Sequence, residues 1–269
     1  MSKRLTIPIA LTIAGSDSGG GAGLQADLKT FAALGVHGTS AVTCVTAQNP
    51  REVRAIQACR PAIVRAQLEA VFAELPPTAV KTGMLYSASI IDIVADFFRQ
   101  PKRPPLIVDP VMIATSGAAL LRPAAMIALK TRLLPLATLI TPNLDEAEFL
   151  TGRKISTPED LRTAARLLQR QYGCAVLVKG GHLRESRDAV DIFFDGKSEL
   201  LLTAPFIRGV ATHGTGCTYS AAITAHLALG RALPEAVARA KEFISQAIAQ
   251  SCFVGRHSVL NPSRQRQGK

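Results

Sequence analysis

Apolar runs bounded by turn residues recur along the chain at 9–15 (IALTIAG), 39–47 (TSAVTCVTA), 79–84 (AVKTGM), 105–111 (PLIVDPV), 138–143 (TLITPN) and 175–181 (AVLVKGG). They lack the strict alternation of a sheet that faces water, and near-continuous apolarity is the mark of strands covered on both faces. Between them lie helical spacings: Leu24, Leu28 and Phe31; Ile63, Gln67 and the run to Leu75; 90–98; and 161–168. The last opens on Ser156-Thr157-Pro158-Glu159, which predicts Thr157 as the helix cap, Pro158 in the first turn and Asp160 three residues on. Alternating strand and helix predicts an α/β fold, a central and mostly parallel sheet flanked by helices on both faces. Segments 189–196 and 199–205, with Asp-Gly between them, predict a small antiparallel hairpin. Two long helices, near 215–229 and 234–253, follow it. No repeat or low-complexity linker divides the chain, so one domain over 1–269 is expected, with a frayed tail from about 256.

Composition narrows the class. With 269 residues and 48% hydrophobic content the chain can bury a large core. The five cysteines, at 44, 59, 174, 217 and 252, are odd in number and widely spaced, with no C-x-x-C pair, which predicts a reducing cytoplasm and no structural metal. The basic start and apolar run of MSKRLTIPIALTIAG mimic a signal peptide. The run is short and leads into a glycine-rich turn, so it reads as a buried first strand. No apolar stretch reaches the roughly 20 residues that cross a bilayer. The net charge of +11 raises a nucleic-acid partner, but the arginines are dispersed, there is no Trp and there are three Tyr, so no stacking platform is present. Solvated helix faces, or a polyanionic small substrate, account for the charge.

The candidate chemistry lies at the predicted strand ends, where ligands bind in such sheets. AGSDSGGGAGLQADLK (14–29) carries four glycines ahead of an amphipathic helix; it either approaches a ligand closely or only joins strand to helix. It fits neither a P-loop nor a dinucleotide fingerprint. Asp27, placed opposite the Leu24/Leu28 stripe, either bonds a substrate amine or serves as a charge at a helix N-terminus. Gln48 in TAQN offers donor and acceptor together, which suits an aminated heteroaromatic ring. Asp109 stands at the end of the 105–111 run, and Asn143 and Glu146 are three apart where a strand gives way to a helix. Glu146 and Asp109 are candidate carboxylates for Mg²⁺, which keeps waters and phosphate oxygens in its shell; a helix cap at 143–146 would need no metal. Lys179 in KGGH is a strand-end cation for phosphate. THGTGCTYSAA (212–222) puts the Gly214, Thr215 and Gly216 amides and the positive end of a helix at one spot, with Cys217 beside them.

Taken in order, TIAGSDSGGGAGLQADLKTF, TAQN, KTGML, VDPVM, LITPNLDEAE, VLVKGGH and THGTGCTYSAA resemble the ribokinase-like superfamily, and within it the hydroxymethylpyrimidine/phosphomethylpyrimidine kinases of bacterial thiamine biosynthesis. The resemblance spans 12–222. It implies a ribokinase-like fold, usually dimeric, and two ATP-dependent transfers, to the hydroxyl of 4-amino-5-hydroxymethyl-2-methylpyrimidine and then to the phosphate so formed. It implies that Gly15, Asp27, Gln48, Met84 and Val111 line the pyrimidine pocket. Asn143, Glu146, Lys179, Thr212 and Gly214 to Gly216 would face ATP and Mg²⁺, and Cys217 would stand beside the reacting oxygen.

Sugar-phosphorylating relatives carry Asp where this chain has Cys217. A phosphate acceptor is mostly ionised near neutral pH and needs no base. A fixed carboxylate beside it would cost on the order of 4 kcal/mol at 4 Å and an effective dielectric of about 20. A thiol avoids that repulsion when neutral, and a thiolate favoured by the helix end would serve the hydroxyl acceptor. The alternative is that Cys217 only fills space, because positioning and electrostatics carry most of phosphoryl transfer. Rival readings are a pyridoxal kinase of the same fold, a noncatalytic nucleotide or pyrimidine sensor, and a cysteine hydrolase using His213.

Overall fold

The computed structural model describes residues 6–112, 122–181, 183, 188–207, 209–210 and 213–262. Among the described residues, nine strands form one sheet in the order β3-β2-β1-β4-β5-β6-β7-β8-β9: β1 Ile9–Asp17, β2 His37–Gln48, β3 Val53–Ala58, β4 Ala79–Thr82, β5 Leu106–Val108, β6 Leu139–Ile140, β7 Ala175–Gly180, β8 Asp188–Phe194 and β9 Glu199–Pro205. β1, β2, β4, β5, β6 and β7 are mutually parallel, while β3, β8 and β9 pair antiparallel at the two edges. Every predicted strand is present, and the 189–205 hairpin turns through Asp195, whose Oδ1 accepts the Lys197 and Ser198 amides at 2.8 and 2.6 Å.

Among the described residues, eight α-helices cover the sheet: α1 Gly23–Ala33, α2 Pro61–Glu74, α3 Ala88–Phe98, α4 Pro123–Ala128, α5 Leu144–Thr151, α6 Pro158–Tyr172, α7 Thr215–Ala228 and α8 Leu233–Ala249. Successive strand residues feed opposite layers, as strand geometry requires. Leu11, Ile13, Leu106, Val108, Val176 and Val178 pack with residues of α2 to α6, whereas Ala10, Ile107 and Leu177 pack against α1, α7 and α8. That two-sided burial explains the apolar runs. α6 begins as its sequence predicts: the Thr157 side chain accepts from the Asp160 amide, Asp160 returns to the Thr157 amide, and Gly173 closes the helix at φ 72°.

Two elements depart from the reading of the sequence. β3 was not foreseen, because no residue of its VRAIQA segment is buried: Val53, Ile56 and Ala58 are half-buried and the other three are exposed. The expected tail from 256 begins with structure, since β11 His257–Val259 pairs antiparallel with β10 Cys252–Val254. Among the described residues no helix is long and apolar enough to cross a membrane.

Candidate active site

β1 lies between β2 and β4, so the chain leaves β1 in one direction and returns on its other side, which opens a crevice at the strand ends. The crevice is a cavity of about 990 Å³. Its floor collects strand-end residues: Gly15 and Asp17 from β1, Gln48 from β2, Met84 after β4, Asp109 and Val111 after β5, Asn143 and Glu146 after β6, and Lys179 from β7. Gly214, Thr215, Gly216 and Cys217 complete the wall from the start of α7. Thr212 and His182 lie outside the described residues.

The Gly214–Cys217 turn is shaped by close approach. Gly214 has φ 83°, and a Cβ there would sit 1.8 Å from the Gly21 carbonyl oxygen, so only glycine fits. A Cβ on Gly216 would come within 3.2 Å of Lys179 Nζ, which keeps that ammonium in contact with the turn. The Thr215 hydroxyl is buried and has no hydrogen-bond partner among the described residues, which leaves a donor to be satisfied. The Gly23 amide donates to the Cys217 sulfur. Burial pushes the Cys217 thiol up to about 11, against the pull of Lys81, so it is uncharged at neutral pH. Of the two roles read from sequence, the neutral one matches this environment.

Charges alternate across the floor. Asp109 Oδ1 accepts from Lys179 Nζ and Thr141 Oγ1, both at 3.0 Å, and Oδ2 accepts from Ser220 Oγ at 3.3 Å. Burial opposes its charge, yet Lys179 and Lys81 outweigh burial and hold its carboxyl below the usual range. Glu146 is pushed up to about 7, first by burial and then by Asp109, with Lys179 opposing. Its oxygens accept the Asn143 amide at 2.9 Å and the Met112 amide at 3.3 Å, while Asn143 Oδ1 accepts the Glu146 amide at 2.9 Å. This is a capping box. Asn143 and Glu146 therefore start α5 and face the cavity at once. Among the described residues no three His, Cys, Asp or Glu side chains are grouped to hold a metal.

Asp27 is not where the sequence placed it. It does not line the cavity and is fully buried, its Oδ1 paired with Lys81 Nζ at 2.8 Å and its Oδ2 accepting from Thr12 Oγ1 at 2.6 Å. Three residues after Leu24 and four before Phe31, it shares their buried face rather than opposing it. Lys81 itself borders the cavity and was missed, because it sits inside an apolar strand run. Also missed was the apolar wall of Ile207, Val210, Ile244 and Ile248, two of them from a helical stripe that reads as ordinary core.

The family model described as phosphomethylpyrimidine kinase matches residues 17–261. The chain belongs to that family. Hydroxymethylpyrimidine/phosphomethylpyrimidine kinases of Rhizobium meliloti and Synechococcus elongatus are 53% and 48% identical to it, covering 90% and 93% of this chain and 90% and 95% of their own. A thiamine biosynthesis bifunctional protein of Geobacter sulfurreducens is 51% identical over 93% of this chain, which spans about half (51%) of that relative's length. Among solved structures, Bacillus subtilis pyridoxal kinase in its ADP complex superposes with a TM-score of 0.90 at 38% identity, covering 98% of this chain and all of that one. Phosphomethylpyrimidine kinase of Clostridium difficile superposes with a TM-score of 0.80 at 44% identity over 90% of this chain. Within the family, the mostly parallel sheet and edge hairpin are the ribokinase-like fold that the motifs implied.

Proposed function

We propose that this chain transfers the γ-phosphoryl group of ATP to the hydroxyl of 4-amino-5-hydroxymethyl-2-methylpyrimidine, and then a second one to the resulting phosphate, in thiamine biosynthesis. The observation that carries this reading is that one uninterrupted cavity joins Gln48 to the Gly214–Cys217 turn. The ring lies between Gly15, Gln48, Met84 and Val111, with the Gln48 amide facing its amino group and ring nitrogen. Asp27 acts from behind, by fixing Lys81. The nucleotide phosphates meet the Gly214 to Gly216 amides, the Thr215 hydroxyl and Lys179, with Asn143 beside them. Ile244 and Ile248 provide an apolar surface for the adenine.

Two acceptors follow from the uncharged Cys217. No carboxylate faces the acceptor at that position, so residue 217 adds no repulsion to an anionic phosphate. For the hydroxyl, a loose transition state builds little charge on the attacking oxygen before its proton leaves, and positioning does most of the work. Mg²⁺ fits as an ion carried by the nucleotide phosphates, with Asp109 and Glu146 as the carboxylates of its water shell. When bound it supplies neutralisation of the phosphate charge. We assign the single catalytic domain to the cytoplasm and to a homodimer, as the family pattern implies, with no nucleic-acid or membrane partner.

Pyridoxal phosphorylation is the second reading, favoured by the superposition on a pyridoxal kinase. Comparing kcat/KM for the pyrimidine and for pyridoxal, in the wild type and in Gln48→Leu, separates them. The pyrimidine is expected to be preferred, and the variant to lose about tenfold or more on it, because an unpaired ring edge is costly. A higher kcat/KM for pyridoxal, unaffected by Gln48→Leu, would favour the second reading.

A further inference from the structure

The glycine turn after β1 is saturated with internal bonds. Asp17 Oδ1 accepts the Gly19 amide at 2.8 Å, and Oδ2 accepts the amides of Gly21 and Ala22 at 3.1 and 2.8 Å. Burial works against the Asp17 carboxylate, but the bond from His213 and these amides outweigh it and hold its pKa below the usual range. Amides engaged in this way are not free for a phosphate, so this turn is not the anion cradle. Instead it touches both halves of the site. Asp17 Oδ2 meets His213 Nε2 at 3.1 Å, across 196 residues of sequence, and Gly21 lies against Gly214. The next residue, Ser18, donates through Oγ to the Gln48 carbonyl at 2.7 Å and accepts the Gln48 amide at 2.8 Å. Neighbouring residues of one turn therefore hold the end of the ring-binding strand and the entrance to the anion loop.

We propose that Asp17 and His213 are positioning residues that make the pyrimidine end and the anion loop bind as a unit, so that filling one raises the affinity of the other. The proposal rests on the function proposed above and concerns the communication between its two subsites. Neither residue needs to touch a reacting atom. A ligand that orders the Gln48 end fixes Ser18, the same turn fixes Asp17, and Asp17 fixes His213 one residue before the first anion-binding amide. The second ligand then meets a loop already in place, and by linkage the effect is reciprocal.

Titration calorimetry of the full chain measures it: affinity for the hydroxymethylpyrimidine with and without a nonhydrolysable ATP analogue and Mg²⁺, and for the analogue with and without the pyrimidine. In the wild type each ligand is expected to tighten the other by about fivefold or more. His213→Ala should bring that factor to within about twofold of unity, and His213→Gln, whose amide nitrogen can replace Nε2, should restore it. Ser18→Ala cuts the other end of the bridge at an exposed position and should lower the factor as well. A role confined to local stability would weaken both affinities and leave their coupling intact, so an unchanged factor in His213→Ala, or no coupling in the wild type, overturns the proposal. If neither ligand binds the wild type, the functional reading itself fails and the coupling with it.

Discussion

Lys81 and Asp27 form a fully buried ion pair, 2.8 Å apart, in which the carboxylate is held on its other side by Thr12. Removing one partner leaves the other as an uncompensated buried charge, which costs about 3–5 kcal/mol. Lys81→Met is therefore expected to lower unfolding free energy by that order in urea titrations. Lys81→Met combined with Asp27→Leu should recover most of the loss, since no charge is left uncompensated. Full stability in the single variant would contradict the pairing.

Gly214 and Gly35 share a left-handed backbone, at φ 83° and 74°, but differ in their surroundings. A Cβ at 214 would meet the Gly21 carbonyl oxygen, whereas at 35 nothing lies within 4 Å. Gly35→Ala should cost only the conformational term, about 1 kcal/mol, with activity kept. Gly214→Ala must also displace the Gly214–Cys217 turn, and if its amides bind phosphate as proposed kcat should fall on the order of 100-fold, as when one charge-stabilising donor is lost. Steady-state assays and melts of both variants make the comparison.

What the sequence disclosed and what it hid differ in range. Gln48, Asp109, Asn143, Lys179 and the 214–217 turn were legible because each sits at a strand end or helix start, where local pattern and turn chemistry coincide. The sheet and its hairpin were legible from apolar runs alone. Lys81 was hidden because a lysine that pairs inside a core looks like an interruption of a strand, and its partner Asp27 is 54 residues away. The Asp17–His213 contact has no local signature at all. β3 escaped because an edge strand exposes much of its length and loses the apolar run.

Cys217 lies in the cavity with its thiol uncharged. Cys217→Asp would place a carboxylate there, and the repulsion of a phosphate acceptor is worth up to about 4 kcal/mol at 4 Å. The second phosphorylation should fall at least about tenfold more than the first, when each is started from its own acceptor. Cys217→Ser, neutral and of similar size, should preserve the balance between the steps. Equal losses in Cys217→Asp would remove repulsion as the reason for the thiol.

Glu146 carries a pH signature. Its folded pKa, about 7, is above the model-compound 4.5, so folding favours the protonated form. The resulting stabilisation is complete below about pH 4.5 and is lost as pH rises through 7, a change of up to about 3 kcal/mol. Denaturant titrations without metal or nucleotide should show this decline between pH 4.5 and 8 in the wild type. Glu146→Gln should lack it, whatever its absolute stability. Parallel profiles would mean that Glu146 is charged throughout.

Product identity tests the whole account most directly. The protein is mixed with ATP, Mg²⁺ and the hydroxymethylpyrimidine, and the products are resolved by mass spectrometry over time. The pyrimidine monophosphate should appear first and then decline as the diphosphate accumulates, with one ADP formed for each phosphoryl group transferred. ATP consumption without any phosphorylated pyrimidine, or a monophosphate that never proceeds further, would contradict a site built for both acceptors.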